Sequence, residues 1–236
     1  TTPWRNAVSM SGKLFGFAMR SRPSGPDADI YLQTAARHFN AVVAENAMKF
    51  GAIARGNPGE YNFTDADAIA SFAKASGMKV RGHTLVWHEQ QPRWLSEKVW
   101  TEAQMSEMLR SHIQTMVTRY KGDVFAWDVV NEAISDSNDP NEIYRQTKSL
   151  EAMGPAYIDM AFRWAREADP DVKLFYNDYG MDFGGPKFEK MLLMVRGMKA
   201  RGVPIDGVGL QMHIGLGAQG KGPELARCIR RIAELG

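Results

Sequence analysis

A chain of 236 residues, 44% hydrophobic and 24% charged, is long enough to bury its own core and has the composition of a soluble globular domain. Its 29 basic and 27 acidic side chains leave a net charge of +2, which gives no electrostatic footing for nucleic acid or for an anionic membrane surface. The single cysteine, Cys228, excludes an intrachain disulfide, and no apolar run approaches the roughly eighteen residues of a membrane span.

In chain order, short apolar runs at 14–18, 40–44, 79–82, 124–130, 173–176 and 207–211 have the length of buried strands. Amphipathic helical stretches separate them. The clearest carries Met105, Met108, Leu109, Ile113, Met116, Val117 and Tyr120 at intervals of three and four, which is one buried stripe. Phe188, Met191, Leu192, Val195 and Met198 repeat that spacing. Pro155 and Pro186 stand where helices should begin, Gly202 follows the end of one, and a last helix is expected over about 223–235. Strands alternating with helices predict a parallel sheet of class α/β. No linker, low-complexity segment or repeat divides residues 1–236, so a single domain is expected.

The polar residues decide between an open sheet and a closed barrel. Glu45 and Asn46 follow the second run, and His83, Trp87 and His88 the third. Asn131 and Glu132 end the fourth, Asn177, Asp178 and Tyr179 the fifth, and Gln211 and His213 the sixth. In a β/α barrel the C-terminal strand ends ring one mouth, whereas in an open sheet only those at the switch point meet. No glycine-rich phosphate loop follows the first run. The pattern favours a barrel.

A mouth of carboxylates, amides, imidazoles and indoles suits a neutral ligand rich in hydroxyl groups, and six tryptophans and seven tyrosines supply faces for sugar rings. Glycoside hydrolysis needs two carboxyl groups across the scissile bond, one to protonate the leaving oxygen and one to attack or to activate water. Glu45, Glu132 and Asp178 are candidates by position, which does not rank them. Other residues have plainer readings: His112 as packing on its helix stripe, His38 as helix-terminal, Trp127 as core, Trp94 and Trp100 as core or rim. His83 and His88 stand five apart, which fits no helical zinc motif, and no thiol accompanies them, so no metal is expected. Strict alternation would send Asn131 and Glu132 to opposite faces, so lining one cleft requires the strand to end or bulge there.

Five co-linear segments resemble the motifs of glycoside hydrolase family 10, the endo-β-1,4-xylanases. They are Phe39-Asn40 through Glu45-Asn46-Ala47-Met48-Lys49, Val80-Arg81-Gly82-His83-Thr84-Leu85-Val86-Trp87-His88-Glu89-Gln90-Gln91-Pro92, Trp127-Asp128-Val129-Val130-Asn131-Glu132-Ala133, Tyr176-Asn177-Asp178-Tyr179, and Ile205-Asp206-Gly207-Val208-Gly209-Leu210-Gln211-Met212-His213. The resemblance runs from about Lys13 to the end of the chain. It implies a (β/α)8 TIM barrel of which this chain supplies about the first six units. It also implies retaining hydrolysis of xylan or xylo-oligosaccharides, secretion, and neither cofactor nor metal.

By the same resemblance Glu132 is the general acid/base, and Asn131 holds the 2-hydroxyl of the sugar under attack. Glu45, Asn46 and Lys49 bind the next xylose toward the non-reducing end, while His83, Trp87 and Gln90 shape the pocket of the attacked sugar. Tyr179 offers an aromatic face at or just past the scissile bond. Gln211 and His213 orient the second carboxylate, and the His83–Thr84 peptide bond is cis.

In the family the nucleophilic Glu ends the seventh strand, in a motif reading roughly Ile-Thr-Glu-Leu-Asp. That places it past Gly236. Glu234 is no substitute, since it belongs to the preceding helix. Residues 1–236 alone are therefore not expected to hydrolyse xylan, and a C-terminal segment, an exchanged element or self-association is expected to complete the barrel. A non-catalytic xylan-binding fragment and a related barrel hydrolase of cellulose or mixed-linkage glucan are the competing readings. The opening Thr1-Thr2-Pro3-Trp4, without an initiating Met, reads as that of a processed product or of an expressed fragment, and a removed signal peptide would leave no trace in it.

Overall fold

A computed structural model describes residues 3–236; Thr1 and Thr2, where the chain opens, lie outside the described residues. In chain order the elements are α1 (Trp4–Met10), β1 (Gly16–Met19), α2 (Ala28–His38), β2 (Ala41–Ala44), the single turn α3 (Phe50–Ile53), α4 (Thr64–Ala75), β3 (Lys79–Val86) and α5 (Arg93–Ser96). There follow α6 (Glu102–Arg119), β4 (Val124–Asn131), α7 (Lys148–Met153), α8 (Ala156–Ala168), β5 (Lys173–Asp178), α9 (Pro186–Ala200), β6 (Gly207–Leu210) and α10 (Gly222–Ala233). Among the described residues six strands pair in parallel in the order β1-β2-β3-β4-β5-β6. They form an open, curled sheet, about six units of a (β/α)8 barrel.

Every expected strand is present, with shifted ends. β1 starts at Gly16 rather than at 14, and Leu14 and Phe15 are exposed. β3 continues from Gly82 to Val86 and β5 from Tyr176 to Asp178. Apolar runs stop where polar side chains begin, but ladder pairing belongs to the backbone. Hence His83 still pairs with Asp128 and Asn177 with Asn131.

The helices form where periodicity and caps agree. Thr101 and Gln104 make a capping box that starts α6, whose face buries Met105, Leu109, Ile113, Met116 and Val117. Each such side chain removed from water contributes about 1.5–3 kcal/mol. Pro186 opens α9, which buries Phe188, Met191, Leu192, Val195 and Met198, and Gly202 follows it at a φ of 65°. Trp127 is core, and Gly82 makes room for it: a Cβ there would sit 2.2 Å from the indole ring. His112 is buried and stacked on Phe50 with centroids 3.5 Å apart.

The outer strands are β1 and β6. Beside them α1 leaves Trp4 exposed, while α10 buries Cys228 but leaves Ile229 exposed. Both flanks present apolar surface to solvent.

Candidate active site

The strand ends converge on Glu132. β4 stops at Asn131, its register with β5 shifts between Asp128 and Val130, and Glu132 has a φ of +59°. Alternation is thereby broken, as one-sided lining of the cleft requires. Gln211 Nε2 now reaches both neighbours, at 3.3 Å from Asn131 Oδ1 and 2.8 Å from Glu132 Oε1. On the other oxygen, Trp87 Nε1 donates to Glu132 Oε2 at 2.7 Å. The carboxyl group is thus buried yet at the mouth, with one donor on each oxygen. Asn177 Nδ2 donates to Asn131 Oδ1 at 2.8 Å, whereas Asn131 Nδ2 is buried and lacks a hydrogen-bond partner among the described residues. A buried orphan donor costs about 1–3 kcal/mol until something accepts from it.

Beneath lies a second cluster. Asp128, buried on β4, accepts from Arg81 Nη2 at 2.5 Å on Oδ1 and from His83 Nδ1 at 2.8 Å on Oδ2. Burial alone would raise the Asp128 pKa, but the His83 hydrogen bond and the Arg81 charge outweigh it and hold the carboxyl below the usual range. His83 therefore has one ring nitrogen committed. The His83–Thr84 peptide is cis, and Thr84 Oγ1 donates to Asp128 O at 2.8 Å.

Residues from β2 and β3 form one arm. Glu45 and Asn46 are exposed beyond β2, and Lys49 Nζ lies 2.8 Å from Asn46 Oδ1 and 5.1 Å from the Trp87 ring centroid. Burial lowers the Lys49 pKa, while Glu45 and Glu132 pull it back up. Gln90 has a φ of 47°, and its carbonyl accepts from Gly51 N at 2.7 Å. A Cβ on Gly51 would lie 2.2 Å from that carbonyl oxygen, so only glycine allows α3 to brace the loop this closely.

Other candidates sit differently. Asp178 is fully buried: Tyr176 Oη donates to Oδ2 at 2.5 Å, while Tyr179 N and Lys187 Nζ hold Oδ1 at 2.8 and 2.9 Å. Burial raises its pKa, against the opposing charge of Lys187. Tyr179 donates to Asp136 Oδ2 at 2.6 Å, and Lys187 Nζ sits 3.5 Å from its ring centroid. His213 is exposed and makes no side-chain hydrogen bond among the described residues.

Sequence reasoning missed the supports. Arg145 donates from Nε to Glu132 O at 2.9 Å and reaches Asp136 at 2.8 Å. Lys187 bonds Asp136 Oδ1 at 2.7 Å, linking that network to Asp178. Burial would raise the Asp136 pKa, but hydrogen bonds from Lys187, Tyr179 and Arg145 hold it far below the usual range. Lys187 sits next to the helix-opening Pro186, and no local pattern marks it as a buried cation. Among the described residues no group of three or more His, Cys, Asp or Glu is placed to hold a metal ion. Among the same residues no helix is long and apolar enough to cross a membrane.

The described chain from residue 4 to residue 236 matches the model of glycosyl hydrolase family 10, and the protein belongs to that family. It is 40% identical over 214 residues to endo-1,4-beta-xylanase B of Thermotoga neapolitana, covering 89% of this chain and 59% of that protein. It is 46% identical over 200 residues to beta-1,4-xylanase of Dictyoglomus thermophilum, covering 85% and 55%. The chain thus spans a little over half the length of these two relatives. The crystal structure of xylanase 10B from Thermotoga petrophila RKU-1 in complex with xylobiose superposes with a TM-score of 0.93 at 40% identity, covering all of this chain and 71% of that one.

Proposed function

We propose that residues 1–236 form a single catalytic domain unit of a secreted, retaining endo-1,4-β-xylanase, supplying its acid/base and much of its sugar-binding surface. The observation that carries this reading is Glu132, held between Trp87 and Gln211 beside the orphan amide of Asn131. Glu132 would protonate the leaving glycosidic oxygen and later deprotonate the water that releases the glycosyl-enzyme. Asn131 Nδ2 would donate to the 2-hydroxyl oxygen of the sugar under attack and fix its orientation, leaving the hydroxyl proton, more acidic as positive charge develops on the ring, for an acceptor across the bond. Glu45, Asn46 and Lys49 would bind the adjoining xylose, and His83, Trp87 and Gln90 the attacked one.

The reading places the nucleophile on a seventh strand, beyond Gly236. A retaining pair needs carboxyl groups about 5–5.5 Å apart across the bond. Asp178 cannot serve, because both its oxygens are engaged and it is fully buried. Gln211 and His213 follow the strand that would neighbour the seventh, where they could orient that carboxylate. A segment carrying the last two units, or a second copy, would cover the β6 edge and α10.

The test is reducing-sugar release from xylan and from carboxymethylcellulose, by residues 1–236 and by a chain extended through the seventh and eighth β/α units. Xylan cleavage by the extended chain alone is expected. Equal cleavage by the 236-residue chain would overturn the assignment of the nucleophile, and preference for carboxymethylcellulose would overturn the substrate.

A further inference from the structure

The donor that Gln211 offers to Glu132 is aimed by the backbone on both sides of it. β6 ends at Leu210, and Gln211 N donates to Asp178 O at 3.0 Å, which fixes the peptide group before Gln211. The peptide group after it is fixed by a side chain: Met212 N donates to Asp182 Oδ1 at 3.1 Å. Met212 has a φ of 54°, a left-handed conformation uncommon outside glycine, asparagine and aspartate. The bond to Asp182 therefore holds a residue whose own preference lies elsewhere. With both flanking peptide groups set, the direction in which the Gln211 side chain leaves the backbone is set too. Its Nε2 then lies 3.3 Å from Asn131 Oδ1 and 2.8 Å from Glu132 Oε1.

Asp182 stands in the loop between β5 and α9 and is buried. Among the described residues its carboxylate makes no other hydrogen bond and no ion pair. A buried carboxylate so sparsely partnered is costly, and an apolar side chain would fill the place at less cost. What the carboxylate adds is a charge-assisted bond to one backbone N–H, roughly twice as strong as a neutral one. We infer that Asp182 is a positioning residue for Gln211: through the Met212 peptide it holds the Gln211 amide on the Glu132 carboxyl group. The consequence for turnover rests on the xylanase reading above; the geometry does not.

Two measurements test it. The first uses the 236-residue chain, isotopically labelled, and follows by NMR the side-chain amide of Gln211, identified by its loss in Gln211→Ala. Asp182→Ala should move that signal toward the position of a free glutamine amide. So should Asp182→Leu, which fills the buried space without an acceptor. Asp182→Asn keeps an acceptor oxygen and should leave the signal near the parent's. A signal unmoved in the Ala and Leu variants, or lost in a folded Asp182→Asn, would overturn the inference.

The second uses a chain extended through the seventh and eighth β/α units. On xylo-oligosaccharides kcat is expected to fall on the order of 10-fold in Asp182→Ala, the weight of one charge-assisted hydrogen bond, with KM moving far less. Asp182→Asn should recover it to within about 3-fold of the parent. Because the effect passes through Gln211, Asp182→Ala should add less than about 2-fold to the loss already caused by Gln211→Ala. Full multiplication of the two losses would show a merely structural role and overturn the inference. A parent extended chain that leaves xylan intact would sink the xylanase reading and the effect on turnover with it, while the NMR measurement decides by itself whether Asp182 aims Gln211.

Discussion

Arg145 clamps the backbone of Glu132: its Nε lies 2.9 Å from the Glu132 carbonyl oxygen, while Glu132 N donates to Asn177 O at 2.9 Å from the other side. A glutamate at a φ of +59° costs on the order of 1–3 kcal/mol and persists only where its surroundings enforce it. The same guanidinium bonds Ile134 O at 3.3 Å, Asp136 at 2.8 Å and Tyr179 Oη at 3.0 Å. Arg145 is thus a positioning residue for the carboxyl group between Trp87 and Gln211.

Arg145→Met keeps the apolar stem and removes every one of these bonds. In a complete barrel kcat on xylo-oligosaccharides is expected to fall by up to about 10²-fold, the cost of displacing a reacting group by roughly 1 Å, with KM moving far less. Arg145→Lys should rescue little, since an ammonium cannot reproduce the planar fork. An unchanged kcat in Arg145→Met would remove the residue from this role.

Lys187 neutralises a carboxylate that has no access to water. Its Nζ lies 2.9 Å from Asp178 Oδ1 and 2.7 Å from Asp136 Oδ1. Lys187→Met strands the Asp178 charge, and removing one partner of a buried pair costs about 3–5 kcal/mol. Adding Asp178→Asn should recover part of the loss. Urea denaturation of the single and double variants checks this; a double variant less stable than Lys187→Met would contradict it.

The sequence made the barrel and its mouth legible because both leave local marks. Apolar runs separated by amphipathic helical stretches located the strands, and polar residues just past them located the cleft. Glu132, Trp87, Asn131 and Gln211 follow strands or end them, and they meet in space. What stayed hidden is held by distant partners. His83 was legible, but not the Asp128 and Arg81 that hold it between β3 and β4, nor the Lys187 at the start of α9 that closes on Asp136 in the loop after β4. No spacing rule connects such residues. His213 was read from its place after β6, and it stands exposed one residue past Met212, whose φ is 54°.

Acid should destabilise the fold through His112. Burial lowers its pKa from 6.5 to about 3, so between those values the unfolded chain binds a proton that the folded chain refuses. Stability from this source is complete above the unfolded pKa and is lost as pH falls, with a slope approaching about 1.4 kcal/mol per pH unit. Below the folded value the loss levels off. His112→Phe preserves a ring against Phe50 and should flatten the dependence of the urea midpoint on pH, whatever its effect on absolute stability. Identical slopes in parent and variant would contradict the account.

The central claim is that Glu132 supplies the proton to the leaving group, and the most direct measurement is turnover by Glu132→Gln in a complete barrel on two substrates. One is an unactivated xylo-oligosaccharide, the other an aryl xyloside whose phenolate departs without protonation. The account predicts a loss on the order of 10²–10⁴ on the first, the usual weight of acid–base catalysis, and a retained burst of phenolate on the second. Losses of equal size in the first bond-breaking step of both substrates would show that Glu132 does not protonate the leaving oxygen.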